Sequence, residues 1–325
     1  MQQFKIISMR YVWIDWAKVI CIWLMVSCHA GQSGMFLNVS YQFHMPAFFI
    51  ISGFLFHPRG IKKEIMSFCI PILLYGFLYL IFSCFAEFSS NEFNYNRGYS
   101  LIVSWMKSLL FRSDVSWFQG YWFVATLLFI RLLMECDYIR KKYYFIAIFC
   151  IVYCCIEPYA NISYFIMGLK PYHLLSCFPF FALGMLIKEK NIEITQSSLE
   201  ILLLELVCFF VLTLVQGRPD LGVYCYGACN YVLFFVNAII GSHILFNICN
   251  YLPQRSWIQT LSSGTLLILG IHSIIYRSLF RILNSFIVID NFYLPLFVGI
   301  ITVIICYYLI KFLGKKYPLM LGKIK

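Results

Sequence analysis

Residues 11–30 read YVWIDWAKVICIWLMVSCHA. The stretch is apolar over about twenty residues, the length an α-helix needs to cross a hydrocarbon core about 30 Å thick. It has no small-residue cleavage site and it holds Asp15 and Lys18, so we expect a mature helix that doubles as the insertion signal, not a cleaved leader. Ionisable groups inside a span are costly, and their default reading is a function. Asp15 lies three residues before Lys18, and Lys18 eleven before His29. Eleven residues make close to three turns. Lys18 and His29 therefore share a face, roughly 16 Å apart along the axis, and Asp15 joins that face. The stripe carries a charge pair at one end and an imidazole at the other. The lesser alternatives are an interfacial ion pair of Asp15 and Lys18 with Lys18 snorkelling, and an interfacial His29 satisfied by a loop carbonyl. As chemistry, the imidazole suits a general base that takes a proton from a hydroxyl and returns it to a leaving thiol.

The rest of the chain agrees with that first helix. Of its 325 residues, 62% are hydrophobic and 12% charged, against about 25% charged in soluble domains. A mean hydropathy of +0.81 leaves too little polar surface for a soluble shell. The expectation is an all-α polytopic bundle of about ten transmembrane helices, forming a single domain over 1–325. The net charge of +11 reads as topology signal, not as a nucleic-acid footprint. The 14 cysteines fall mostly in apolar runs such as Cys21, Cys28, Cys150, Cys154 and Cys155, where a thiol is a small hydrophobe. No disulfide framework is expected. Cys225 and Cys229 lack a second Cys/His pair, so no metal is expected.

Spans are expected near 12–30, 42–56, 65–86, 118–134, 143–157, 174–187, 199–216, 223–248, 258–282 and 291–313. Lys and Arg gather at alternate connections. Lys5, Arg10, Arg59, Lys62, Lys63, Arg140, Lys141, Lys142, Lys188, Lys190, Arg255, Lys315, Lys316, Lys323 and Lys325 fall on one side. The other side has Arg97, Lys107, Arg112, Lys170 and Arg218. By the positive-inside rule both termini are cytoplasmic. The longest loop, about 87–117, then faces outward with Asn91, Asn94, Tyr95, Asn96, Tyr99, Trp105 and Trp117. It reads either as a cover over a binding site or as an ordinary aromatic belt.

Further blocks carry candidate chemistry. In FHMPAFFIISGFLF (43–56) Pro46 is expected in the first turn of a helix, where its missing N–H costs nothing. His44 is expected at the outer end of that helix, beside His29, and Ser52 and Gly53 allow close helix approach. HPRGIKKEIMSFCIPILLYG (57–76) offers Arg59, Lys62 and Lys63 as a basic turn. YWFVATLL (121–128) presents Trp122, and SSGTLLILGIHSIIY (262–276) ends near a mid-span His272. Arg277 and Arg281 follow one turn apart, placed to bind an anion or to snorkel. The chain carries no Walker loop, dinucleotide fingerprint, HExxH or GxSxG.

The Lys18–His29 spacing after IDWAK, with the 43–56 block, resembles the membrane-bound acyltransferase family 3, closest to the branch of fucose O-acetylases and polysaccharide acetylases. Lys18 stands where some branches carry Arg. The resemblance runs through the chain in order and span count, and helices 1 and 2 are its specific parts. It implies catalysis by His29 and Lys18, with Asp15 beside them. It implies acyl-CoA phosphates at Arg59, Lys62 and Lys63, and it gives the Trp122 and His272 blocks counterparts in the family. From the residues themselves, His44 is a candidate to bind the acceptor or to orient His29, and Trp122, His272 and Arg277 are candidates for substrate contact. The implied reaction is acetyl transfer from acetyl-CoA, as co-substrate, to a sugar hydroxyl of a surface polysaccharide or its lipid-linked precursor. It would occur in the bacterial inner membrane, by direct attack or through an acetyl-histidine. The rival is a transporter or flippase for lipid-linked sugars, which shares buried charges and broken helices. It would move the sugar without changing its mass.

Overall fold

The structure, a computed structural model, describes residues 10–89, 95–111, 120–156, 171–221, 230–284 and 293–323. Cys225, Cys229, Asn91, Asn94, Trp117 and the charged Lys5, Arg112, Lys170 and Lys325 lie outside them. Every regular element described is helical. The order is α1 (Val12–His29), α2 (Gly34–Phe54), α3 (Ile61–Ser89), α4 (Tyr95–Phe111), α5 (Tyr121–Glu135), α6 (Asp137–Arg140) and α7 (Tyr143–Ile156). There follow α8 (Pro171–Glu189), α9 (Leu199–Gln216), α10 (Tyr231–Asn250), α11 (Ser256–Ser263), α12 (Thr265–Asn284), α13 (Tyr293–Lys316) and a 3-10 turn at Pro318–Leu321. By length and composition α1, α3, α9, α10, α12 and α13 can each cross a membrane. The chain is an all-helical, multi-pass membrane bundle.

Burial ranks the helices from centre to rim. The α1 span is 67% buried and α9 only 17%. Helix α1 packs on α2, α10, α11, α12 and α13, while α9 turns Leu203, Leu204, Val207, Val211 and Leu214 outward. An apolar outer face is what a lipid solvent requires. The most polar span is thus the central one.

The end of the bundle richest in Lys and Arg is tied across the chain. The Arg10 guanidinium grips Asp15 at 2.6 and 3.1 Å and reaches the Gln259 carbonyl at 3.2 Å. Trp16 Nε1 donates to the Pro253 carbonyl, Lys188 to the Tyr11 hydroxyl, and Tyr143 to Glu189. Glu135 accepts the backbone N–H groups of Arg59 and Gly60. At the same end a half-buried clamp joins α9 to α10, where His243 meets Glu205 at 2.7 Å and Ser197 at 3.2 Å.

Five expectations need correction. Helix α2 starts at Gly34, eight residues earlier than expected. Its polar stretch folds as helix because the side chains find partners: Ser40 donates to the Phe36 carbonyl, His44 Nδ1 meets the Ser40 carbonyl, and Gln42 donates to the Gly217 carbonyl. Consequently His44 lies mid-helix, not at the outer end. Pro46 is interior as well, not in the first turn, and leaves the Gln42 carbonyl without its helical N–H. The expected outer loop contains α4, which is anchored on α3 by Trp105 Nε1 donating to the Gly76 carbonyl at 2.7 Å. The span expected at 258–282 is two helices broken at Gly264, where the Ile310 side chain fills the space a Cβ would take.

Candidate functional site: a cationic cavity below a histidine pair

A cavity of about 250 Å³ lies between α1, α2, α3, α5 and α12. At the basic end Lys18, Arg59 and Arg131 line it together with Ser52 and Ser67. Further in, its wall is apolar: Ile22 and Met25 from α1, Met45 and Phe48 from α2, Phe123 from α5 and Leu269 from α12. Leu321 and Gly322, at the chain's described C-terminal end, complete the lining. That segment is fixed by Tyr75, whose hydroxyl donates to the Met320 carbonyl, and by Gly322, which lies so close to the Ser67 carbonyl that a Cβ would collide with it.

The cationic end is organised by Glu64, which is fully buried. Arg59 bonds it through Nε at 2.6 Å and Nη2 at 3.0 Å, and Arg131 through Nε at 2.9 Å and Nη2 at 2.8 Å. Two forked guanidiniums satisfy one carboxylate, the geometry that makes a buried charge tolerable. Arg131 also sits over the Phe56 ring at 5.1 Å. Lys18 differs: it lines the cavity with no hydrogen-bond or ion-pair partner among the described residues. An unpaired ammonium within a span is costly, and here it faces open volume where an anion would satisfy it.

At the other end of α1, His29 meets His272 of α12. His29 Nδ1 lies 2.9 Å from His272 Nε2, with the rings 5.1 Å apart and 29° from parallel. Met25 is one turn before His29, and Leu269 about one turn before His272, so the cavity's apolar wall leads to the pair. His44 is buried with its Nδ1 2.6 Å from the Ser40 carbonyl. Its ring is near enough to interact electrostatically with His29.

The residues singled out from sequence separate into three groups. Lys18 and Arg59 line the cavity, and His29, His272 and His44 gather beyond its apolar wall. Trp122 is not in the lining; it packs on His173 with ring centroids 4.8 Å apart. Lys62 and Lys63 are exposed on the first turn of α3, outside the lining. Asp15 is taken by Arg10 rather than paired with Lys18. Arg277 lies elsewhere, with Arg281, Tyr79 and Ser83, on a second cavity of about 440 Å³. Two residues of the cationic end, Arg131 and Glu64, escaped the sequence reading. Their signal was present, since an arginine inside YWFVATLLFIRLLME is as conspicuous as Lys18 in its own span.

The described helices form a membrane-spanning bundle around a cavity with a cationic end. The acyltransferase-domain profile of acyltransferase family 3 matches residues 11–311, and the chain belongs to that family. No curated protein and no solved structure matches it.

Proposed function

We propose that the protein is an O-acetyltransferase of the bacterial plasma membrane. It moves an acetyl group from acetyl-CoA to a sugar hydroxyl of a surface polysaccharide or its lipid-linked precursor. The observation that carries this reading is the cavity between α1, α2, α3, α5 and α12, with Lys18, Arg59 and Arg131 at one end and His29 beyond the other. In this reading the basic end is cytoplasmic. The phosphates of the donor are held by Lys18, Arg59 and Arg131, with Lys62 and Lys63 outside the mouth. Its pantetheine arm extends along Ile22, Met25, Phe123 and Leu269, an apolar wall that suits an extended chain. The thioester then reaches His29, and the sugar arrives from the opposite face of the membrane.

There His29 takes the hydroxyl proton as the sugar oxygen attacks the thioester carbonyl carbon. The carbon–sulfur bond breaks, and the thiolate leaves with the proton from the imidazolium. Separating the two substrates along one helix keeps water from the thioester until the acceptor is in place.

Mass spectrometry of surface polysaccharide from cells with and without the protein is the test. The expected difference is one acetyl per modified residue, lost in His29→Ala while membrane levels of the protein stay normal. Polysaccharide of unchanged mass but reduced amount would support a transporter and refute the proposal, as would full acetylation by His29→Ala.

A further inference from the structure

We infer that His272 is a positioning residue that fixes which nitrogen of His29 carries the proton. This deepens the proposed function and rests on His29 being the base. From sequence His272 was expected to contact substrate. Its surroundings assign it differently.

His272 is fully buried on α12. Its Nδ1 lies 2.9 Å from the Leu269 carbonyl oxygen and 3.1 Å from that of Ile268. A carbonyl only accepts, so this nitrogen carries a hydrogen. In the neutral ring the other nitrogen, Nε2, then has only a lone pair. The 2.9 Å contact from His29 Nδ1 needs one hydrogen between the two nitrogens, and His29 must supply it. The neutral His29 ring therefore has its proton on Nδ1 and its lone pair on Nε2, free to accept from a hydroxyl. The opposite arrangement would need His272 to be an imidazolium. No carboxylate is among its described hydrogen-bond partners, and an unpaired charge buried among Leu269, Ile268 and Ile271 is strongly disfavoured.

The chain of contacts is thus directional: His29 Nδ1–H to His272 Nε2, and His272 Nδ1–H to the Ile268 and Leu269 carbonyls of its own helix. In water a histidine side chain prefers its proton on Nε2, which would leave the wrong nitrogen facing the acceptor. His272 reverses that preference. When His29 Nε2 takes the hydroxyl proton, the new charge is shared through a hydrogen bond that already exists. A neutral imidazole backed by carbonyl dipoles fills the place a carboxylate takes in a serine-protease triad, without burying a second full charge in the membrane.

The test combines a spectroscopic readout with kinetics on the full-length protein in lipid nanodiscs. Nitrogen-15 magnetic resonance of its six histidines, with His29 assigned from His29→Gln, reports which nitrogen bears hydrogen. The expected wild-type signature is protonated Nδ1 and bare Nε2. In His272→Leu the proton moves to Nε2, and kcat falls roughly tenfold or more with the KM for acetyl-CoA unchanged. His272→Gln, whose carbonyl oxygen reaches the position of Nε2 and only accepts, restores the wild-type signature and most of kcat. Protonated Nε2 in wild type would overturn the inference. So would His272→Leu within twofold of wild-type kcat, or His272→Gln as impaired as His272→Leu. An active His29→Ala would instead overturn the assignment of the base, and the nitrogen signature would still decide the direction of the contact.

Discussion

Lys18 is the side chain whose environment makes the sharpest demand, because no described side chain bonds or ion-pairs with it. Its replacement by Gln should raise the KM for acetyl-CoA about tenfold, which is about 1.4 kcal/mol, and leave kcat near wild type in steady-state assays. Lys62→Gln and Lys63→Gln should change the KM far less, since exposed charges contribute little through solvent. Glu64 behaves oppositely, as a structural anion. Glu64→Ala leaves Arg59 and Arg131 facing each other, a loss of about 3–5 kcal/mol for breaking a buried pair. Thermal unfolding in detergent should move down accordingly. Lys18 and His29 were legible in the sequence because an ionisable group in an apolar run has few bland explanations. The partner of His29 was not, because it lies 243 residues away and spacing along one helix says nothing about which neighbour faces it. The Asp15 partner was misread for a related reason. Helical spacing offered Lys18, but a nonhelical Arg10 folds back and forks onto the carboxylate.

At the scale of elements, α2 and α8 touch backbone to backbone. A Cβ at Gly53 would collide with the Phe181 carbonyl, and one at Gly184 with the Ile50 carbonyl. Small residues allow this approach where lipid supplies no hydrophobic drive between helices. Gly184→Ala should therefore cost at least the ~1–3 kcal/mol typical of overpacking and should lower the yield of folded protein by size-exclusion analysis. The close approach at Gly53 could be read from residue size alone, whereas Ser52 beside it lines the cavity. The beginning of α2 could not: Asn38, Ser40 and Gln42 depress hydropathy, yet Ser40 and Gln42 are buried and bonded. Hydropathy scores the side chain in isolation, while the bundle interior rewards any polar group that finds a partner. The same blindness hid α4, whose Asn, Arg and Ser residues mask the face that carries Trp105 onto α3.

Across the whole molecule, one cavity links residues from α1, α2, α3, α5, α12 and the C-terminal turn. Composition was enough to predict an all-helical membrane bundle. The cavity was not legible, because it exists only where five helices fail to fill the space between them. Filling it should block the donor: Leu127→Trp, at a half-buried position of the lining, should raise the KM for acetyl-CoA of the folded fraction recovered by size exclusion. The most direct measurement is a structure of the full-length protein with a non-hydrolysable acetyl-CoA analogue. The phosphates should lie at Lys18, Arg59 and Arg131, with the acyl carbonyl beside His29 Nε2. An analogue bound elsewhere, as in the cavity at Tyr79 and Arg277, with its acyl group remote from His29, would contradict the account.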